Sequence, residues 1–338
     1  MISGTKSGMK HCLLASLVFA GTFPFAFAQQ SETEIIQNGN NAGLKIAGKV
    51  AFTEGPAWHA ATKCVFFTDV ENNRIMRRDV SGKIHTFRTP SGRANGLTFD
   101  KEGRLHACEG GREGGNFRVT RTELNGTITV LTSDFEGKKY NSPNDLVIDS
   151  QGRIYFTDPR YGSRDNMQIL DEDGKEIEGV YRIDPDGTVA QILTHEIDRP
   201  NGIVVSSDEK HLFVADNSNG KAGANRKLWR FDLKVDGSVD PASRILLFDW
   251  GNERGPDGMC QGKNGNLYVT AGLNFPNAHI ETATKYKAGV YVIDPNGDGL
   301  AQFIPIPMDM ITNCTFGGDE GRTLYITAGH TLWSIEIE

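Results

Sequence analysis

From Thr53 onward the chain alternates short apolar runs with turn chemistry, and it does so with a long period. Six stretches begin alike: Thr53-Glu54-Gly55-Pro56, Ala94-Asn95-Gly96-Leu97, Pro143-Asn144-Asp145-Leu146, Pro200-Asn201-Gly202-Ile203, Pro256-Asp257-Gly258-Met259 and Thr312-Asn313-Cys314-Thr315. Each sets one Glu, Asn or Asp just ahead of a short, mostly apolar run. Four continue through a Gly turn into a second β-like run, as Gly152 does into Ile154-Tyr155-Phe156 and Gly265 into Leu267-Tyr268-Val269. Asp184-Pro185-Asp186-Gly187, Leu124-Asn125-Gly126-Thr127 and Asp294-Pro295-Asn296-Gly297 are hairpin signals between such runs. No stretch holds a helical period over three turns. The pattern predicts an all-β chain with an internal repeat.

The repeated polar residue stands at positions 54, 95, 144, 201, 257 and 313. Units of this length with four strands each are propeller blades. The expected fold is therefore a six-bladed β-propeller with four-stranded blades. Inserted loops, Ser163 to Glu178 and Ser218 to Lys227, lengthen the middle units. The last unit offers only three runs before the chain ends. Leu44 to Val50 alternates and supplies the missing strand, which closes the ring and removes an exposed edge.

Blades are related by rotation, so equivalent residues of the innermost strand form a ring around one channel. Glu54, Asn95, Asn144, Asn201, Asp257 and Asn313 are then mutual neighbours. Asn-Gly and Asp-Gly are also ordinary turn dipeptides, and any one of them alone would carry no functional meaning. Six in phase, one of them a Glu, point to a site. Carboxylates and amides together suit Ca2+, a hard cation that takes oxygen ligands. Two carboxylates against one divalent ion leave the site near neutral.

The remaining features narrow the setting. The chain has 338 residues and a formal net charge of −7. With no long basic run, it is not expected to bind nucleic acid. Residues 1–28 read as an export signal: Lys6 and Lys10, an apolar run from Leu13 to Phe27, and a small-x-small Ala26-Phe27-Ala28. The mature protein is then expected outside the cytoplasm, periplasmic or secreted, with no membrane attachment. Residues 29–43 are polar and Asn-rich and read as a loose tail, with the propeller spanning residues 44–338. Cys64, Cys108, Cys260 and Cys314 remain after cleavage. They match no zinc signature. They read equally as small buried side chains or as disulfide partners, with three pairings open. The Asp294 to Gly299 segment resembles an EF-hand loop only at its start and reads as a hairpin turn. No G-x-S-x-G is present.

The motifs Glu54-Gly55-Pro56-Ala57-Trp58, Asn141-Ser142-Pro143-Asn144-Asp145-Leu146, Tyr155-Phe156-Thr157-Asp158-Pro159-Arg160-Tyr161-Gly162, Arg199-Pro200-Asn201-Gly202, Pro256-Asp257-Gly258-Met259 and Thr312-Asn313-Cys314-Thr315 resemble, in order, the gluconolactonase family that includes regucalcin. The resemblance covers nearly all of the mature chain. It implies a six-bladed propeller with one catalytic divalent metal in the channel, usually Ca2+, with Zn2+, Mn2+ or Mg2+ as alternatives. It places the ligands on Glu54, Asn144, Asn201 and Asp257, with Asp257 as general base and Glu54 as the charge-neutralising ligand. Asn95 and Asn313 are left in the ring as substrate contacts. Tyr161, which follows a strand beside Arg160, reads as lining the pocket entrance. The implied activity is hydrolysis of small lactones. An arylesterase or phosphotriesterase on the same metal, or a binding propeller, are the other readings. One position departs from regucalcin-type members, which carry Arg where this chain has Ser142, so a preference for sugar lactones does not carry over.

Overall fold

The computed structural model describes residue 1 and residues 30–111, 113–277, 280–297 and 299–337. The expected export signal, residues 1–28, lies outside the described residues apart from Met1.

Six four-stranded antiparallel sheets follow one another along the chain. Blade one holds strands Thr53–His59, Cys64–Asp69, Arg74–Arg78 and Ile84–Arg88, and blade two holds Ala94–Phe99, Leu105–Glu109, Arg118–Thr122 and Ile128–Thr132. Blade three is Leu146–Ile148, Ile154–Asp158, Gly179–Ile183 and Val189–Leu193. Blade four is Pro200–Val205, His211–Asn217, Arg226–Leu233 and Val239–Asp249. Blade five is Met259–Gln261, Leu267–Ala271, Gly289–Asp294 and Gly299–Pro305. The turn from Asp294 to Gly299 is a hairpin, with these two residues paired. Blade six has Ile311–Gly317, Thr323–Ala328 and Thr331–Glu336 from the end of the chain, and its outer strand is Lys45–Lys49. Lys45 pairs with Ser334 and Lys49 with Thr331. The architecture is the expected six-bladed β-propeller, closed by an N-terminal strand.

The apolar core lies between blades. Separate buried clusters fill the successive interfaces, such as Phe66, Ala94 and Leu105 between blades one and two, and Phe213, Trp250 and Tyr291 between blades four and five. Trp229, Trp250 and Trp333 are buried in these clusters, and Trp58 stacks on Tyr325 across the closing interface. Burial of such aromatic and branched faces is the main force holding blade to blade.

The segment that the sequence suggests is a loose tail is docked. Glu32–Gln37 forms a short helix, and its Ile35 and Ile36 pack against the cluster between blades four and five. Lys285 Nζ donates to Glu32 at 2.8 Å and Asn41 Nδ2 donates to the Pro305 carbonyl at 3.0 Å. The two isoleucines, set among polar residues, supply the apolar contact that overrides the polar composition.

Candidate active site

The first strand of each blade touches the first strands of its neighbours and is therefore the innermost. Six hydrogen bonds stitch the ring together at the level of the repeated polar residue. Thr68 Oγ1 donates to Asn95 O (3.1 Å), Gly96 N to Asn144 O (2.7 Å) and Thr157 Oγ1 to Asn201 O (2.7 Å). Gly202 N donates to Asp257 O (2.9 Å), Gly258 N to Thr312 O (2.6 Å) and Thr312 Oγ1 to Thr53 O (3.0 Å). Such close approach leaves no room for a side chain after the ring residue. A Cβ on Gly202 would lie 2.4 Å from the Asp257 carbonyl oxygen, and one on Gly96 2.5 Å from Asp145 Oδ1. The x-Gly dipeptides thus serve axial packing rather than turns.

Local irregularity aims the side chains. The inner strands of blades one, two, four and six each shift register at or beside the ring residue: Glu54/Ala57, Ala94/Leu97, Pro200/Ile203 and Ile311/Asn313. A bulge of this kind re-aims a side chain that regular pleating would turn into the sheet. The loops entering the ring are held from below by buried carboxylates. Asp69 accepts the Phe52 N–H (3.2 Å), Asp158 the N–H groups of Asn141 and Ser142 (2.8 and 2.7 Å), and Asp216 those of Asp198 and Arg199 (3.1 and 3.0 Å). Asp69 and Asp158 end the second strand of their blade, and Asp216 is the last residue but one of its own. The repeated Thr68-Asp69 and Thr157-Asp158 were a readable signal for this second tier.

A cavity of about 450 Å3 opens onto the ring. Glu54, Asn95, Asn144, Asn201 and Asp257 all line it, as does Tyr161. Asn313 does not. Its Nδ2 donates to Asp145 Oδ2 (3.1 Å) and its Oδ1 accepts the Cys314 N–H (2.8 Å), so its carboxamide is spent inside the protein. Thr312 lines the cavity in its stead. Tyr161 accepts a hydrogen bond from Asn201 Nδ2 at 2.7 Å, and the Arg199 guanidinium lies 5.2 Å from its ring centre. Ser142 is on the wall, its hydroxyl accepting the Gly111 N–H at 2.8 Å.

Two charged residues here went unread in the sequence. Arg254 lines the cavity and is buried, with Nη2 3.1 Å from Asp257 Oδ2 and Nη1 3.8 Å from Glu281 Oε2. Asp145 is buried behind the ring. It occupies the place that Gly55, Gly96, Gly202 and Gly258 hold in other units, a departure from the repeat visible in the sequence.

Burial governs the electrostatics. It pushes Asp257 up to about 6, with Arg254 pulling against it. Burial also raises Asp145 to about 7. Glu54 is raised well above the ordinary carboxylate range, first by burial and then by the charges of Asp257 and Asp145. Arg254 is pulled down by burial, but Asp257 and Glu281 outweigh this and keep it firmly protonated.

The sequence of residues 52–330 matches the family model described as SMP-30/Gluconolactonase/LRE-like region. The chain belongs to this family. Its relatives there include a gluconolactonase of Zymomonas mobilis, 31% identical over 311 residues, which span 85% of this chain and 79% of the relative. A gluconolactonase from Xanthomonas campestris, solved as a structure, superposes with a TM-score of 0.70 at 28% identity, covering 87% of this chain and 89% of that one. A calcium-binding protein, regucalcin, from Agrobacterium tumefaciens shares the fold at a TM-score of 0.66 and 14% identity, over 88% and 94% of the two chains.

The divalent cation that the sequence resemblance implies would have to be held by the residues around this cavity. Among the described residues no group of three or more His, Cys, Asp or Glu is arranged as a metal cage. The ring residues that line the cavity are two carboxylates, Glu54 and Asp257, and three carboxamides, Asn95, Asn144 and Asn201, and they include the four positions that the resemblance implies as ligands. Among the described residues the Asn144 side chain takes no hydrogen-bond partner. Glu54, among the described residues, receives only the N–H of its neighbour Gly55, at 3.2 Å. A buried carboxylate as poorly paired as Glu54 is costly, and hard oxygen donors of this kind fit a hard divalent ion.

Proposed function

We propose that the protein hydrolyses lactones in this cavity, with a divalent cation, Ca2+, held by Glu54, Asn144, Asn201 and Asp257. The observation that carries this reading is the convergence of the poorly paired Glu54 carboxylate, the Arg254-held Asp257 carboxylate and the Asn144 and Asn201 carboxamides on a pocket large enough for a small cyclic ester. Bound there, the cation supplies Lewis-acid polarisation of a carbonyl.

The chain's own residues account for the rest. Asp257 takes a proton from the attacking water, and a base raised to about 6 is largely ionised yet still basic near neutrality. Arg254 fixes the orientation of that carboxylate and keeps it charged. The Tyr161 hydroxyl accepts from Asn201 and so has its own proton free for a substrate oxygen. Phe52, Val70 and Met310 offer apolar wall to the carbons of the ring. Water adds to the acyl carbon, the acyl–oxygen bond of the ring breaks, and the freed alkoxide takes the proton. The product is an open hydroxy acid. Export of the enzyme through residues 1–28 belongs to the same proposal.

The test is a hydrolysis panel of aldonolactones, acyl lactones, an aryl ester and a phosphotriester, run with chelator and with added Ca2+. Lactone turnover that chelation removes and Ca2+ restores is the expected result. Turnover of the aryl ester or phosphotriester without any lactone would move the assignment to those classes. No turnover with Ca2+ present would favour a binding protein.

A further inference from the structure

The innermost strands of blades five and six carry one thiol each at the same height. Cys260 Sγ and Cys314 Sγ lie 3.5 Å apart, although 54 residues separate them in the chain. Both are free, Cys314 buried and Cys260 partly exposed. The remaining thiols, Cys64 and Cys108, are buried in other interfaces, between blades one and two and between blades two and three. The backbone beneath the pair is already fixed, because Gly258 N donates to Thr312 O at 2.6 Å across the same interface. A disulfide needs its sulfurs at about 2.05 Å and its β-carbons about 3.5–4.5 Å apart. The sulfurs need to approach by only about 1.5 Å to reach that bond length, across two strands already held together.

We propose that Cys260 and Cys314 are a disulfide-forming site that locks blade five to blade six beside the catalytic ring. The accessible thiol acts first. Cys260, as thiolate, attacks a small disulfide of the glutathione class, forming a mixed disulfide and releasing one glutathione thiol. Cys314 gives up its proton and attacks the Cys260 sulfur, forming the Cys260–Cys314 bond and releasing the second. The protein dithiol is oxidised by two electrons, and one glutathione disulfide is reduced to two thiols. Burial holds the Cys314 thiol well above its ordinary value, which fits the slow, resolving role rather than the attacking one. The bond would sit three residues after Asp257 and one after Asn313, tying together two inner strands that otherwise meet through non-covalent contacts.

The experiment is peptide mapping of the reduced wild-type protein before and after incubation with glutathione disulfide, with alkylation in denaturant. The expected result is a cross-linked pair of peptides carrying Cys260 and Cys314, with Cys64 and Cys108 still alkylated. Cys314→Ser should stop at a stable glutathione adduct on Cys260, and Cys260→Ser should leave Cys314 unmodified. An adduct on wild-type Cys260 that never proceeds to the internal bond would overturn the proposal. So would continued alkylation of both thiols, or a cross-link to Cys64 or Cys108.

Discussion

Arg254 Nη2 lies 3.1 Å from Asp257 Oδ2, and both side chains are buried. The pair sits where blade four passes into blade five, with Glu281 3.8 Å from the other guanidinium nitrogen. Removing one partner of such a pair leaves an uncompensated buried charge, which costs about 3–5 kcal/mol. Arg254→Met should therefore lower kcat/KM by roughly 100-fold or more, about 2.7 kcal/mol at the transition state. Arg254→Lys, which keeps the charge but not the planar fork, should fall between that variant and the wild type. A loss of melting temperature in Arg254→Met with kcat/KM per folded molecule unchanged would reduce Arg254 to a structural residue.

Metal binding can be read without turnover. A ligand that binds only the native state stabilises it by about 2.7 kcal/mol at 100 times its Kd. Added Ca2+ should raise the melting temperature of the wild type, and the rise should vanish in Glu54→Gln and in Asp257→Asn. It should persist in Asn95→Ala, since Asn95 lines the cavity but is outside the proposed ligand set. Loss of the rise in Asn95→Ala, or its survival in Glu54→Gln, would redraw that set.

The closing strand is expected to matter out of proportion to its length. Lys45–Lys49 forms the outer edge of blade six, and its Ala47 is buried in the cluster between blades six and one. Deleting residues 30–49 would expose the Thr331–Glu336 strand as a bare edge. It would also remove the docked helix. A narrower deletion of residues 45–49 tests the strand alone. Each kcal/mol moves Tm by roughly 2–4 °C in chains of 150–250 residues, so a fall of more than about 10 °C is expected by circular dichroism. An unchanged melting curve would show that the first and last strands do not close the ring in solution.

The ring was legible because a propeller repeats its inner strand. Glu54, Asn95, Asn144, Asn201 and Asp257 recur in phase, and equivalent positions must meet at the axis. Asn313 obeyed the same phase, yet its carboxamide turns to Asp145. The repeat fixes where a backbone goes and leaves the rotamer to the neighbours. Asp145 was in plain view as the one acid at a position usually given to Gly, but it stood next to Asn144, which satisfied the pattern first. Arg254 belongs to no repeat. Its place depends on how one inter-blade loop packs against Glu281 and Arg226, which spacing alone does not encode. The docked helix was hidden by its polar composition, since only Ile35 and Ile36 mark its buried side.

Asp216 gives a pH signature that can be isolated. It is buried near the end of the second strand of blade four and accepts the backbone N–H groups of Asp198 and Arg199. Burial raises it from 3.8 to about 7, with the Asp198 charge adding to the rise and the two N–H bonds opposing it. An acid raised on folding keeps its proton in the native state at pH values where the unfolded chain has lost it. The unfolded state then binds fewer protons, so the unfolding free energy falls as pH rises between about 4 and about 7, and the contribution is constant above that. Other groups, such as Asp69, are lowered by Arg74 and neighbouring donors and contribute the opposite slope, so the raw profile does not isolate Asp216. The difference between the wild type and Asp216→Asn does, because the amide cannot titrate and retains one acceptor oxygen for the loop. Urea unfolding across this range should show the wild type losing ground to the variant steadily as pH increases toward 7. A difference that stays level, or that turns in favour of the wild type with rising pH, would mean that the two N–H bonds outweigh burial and that Asp216 is ionised throughout.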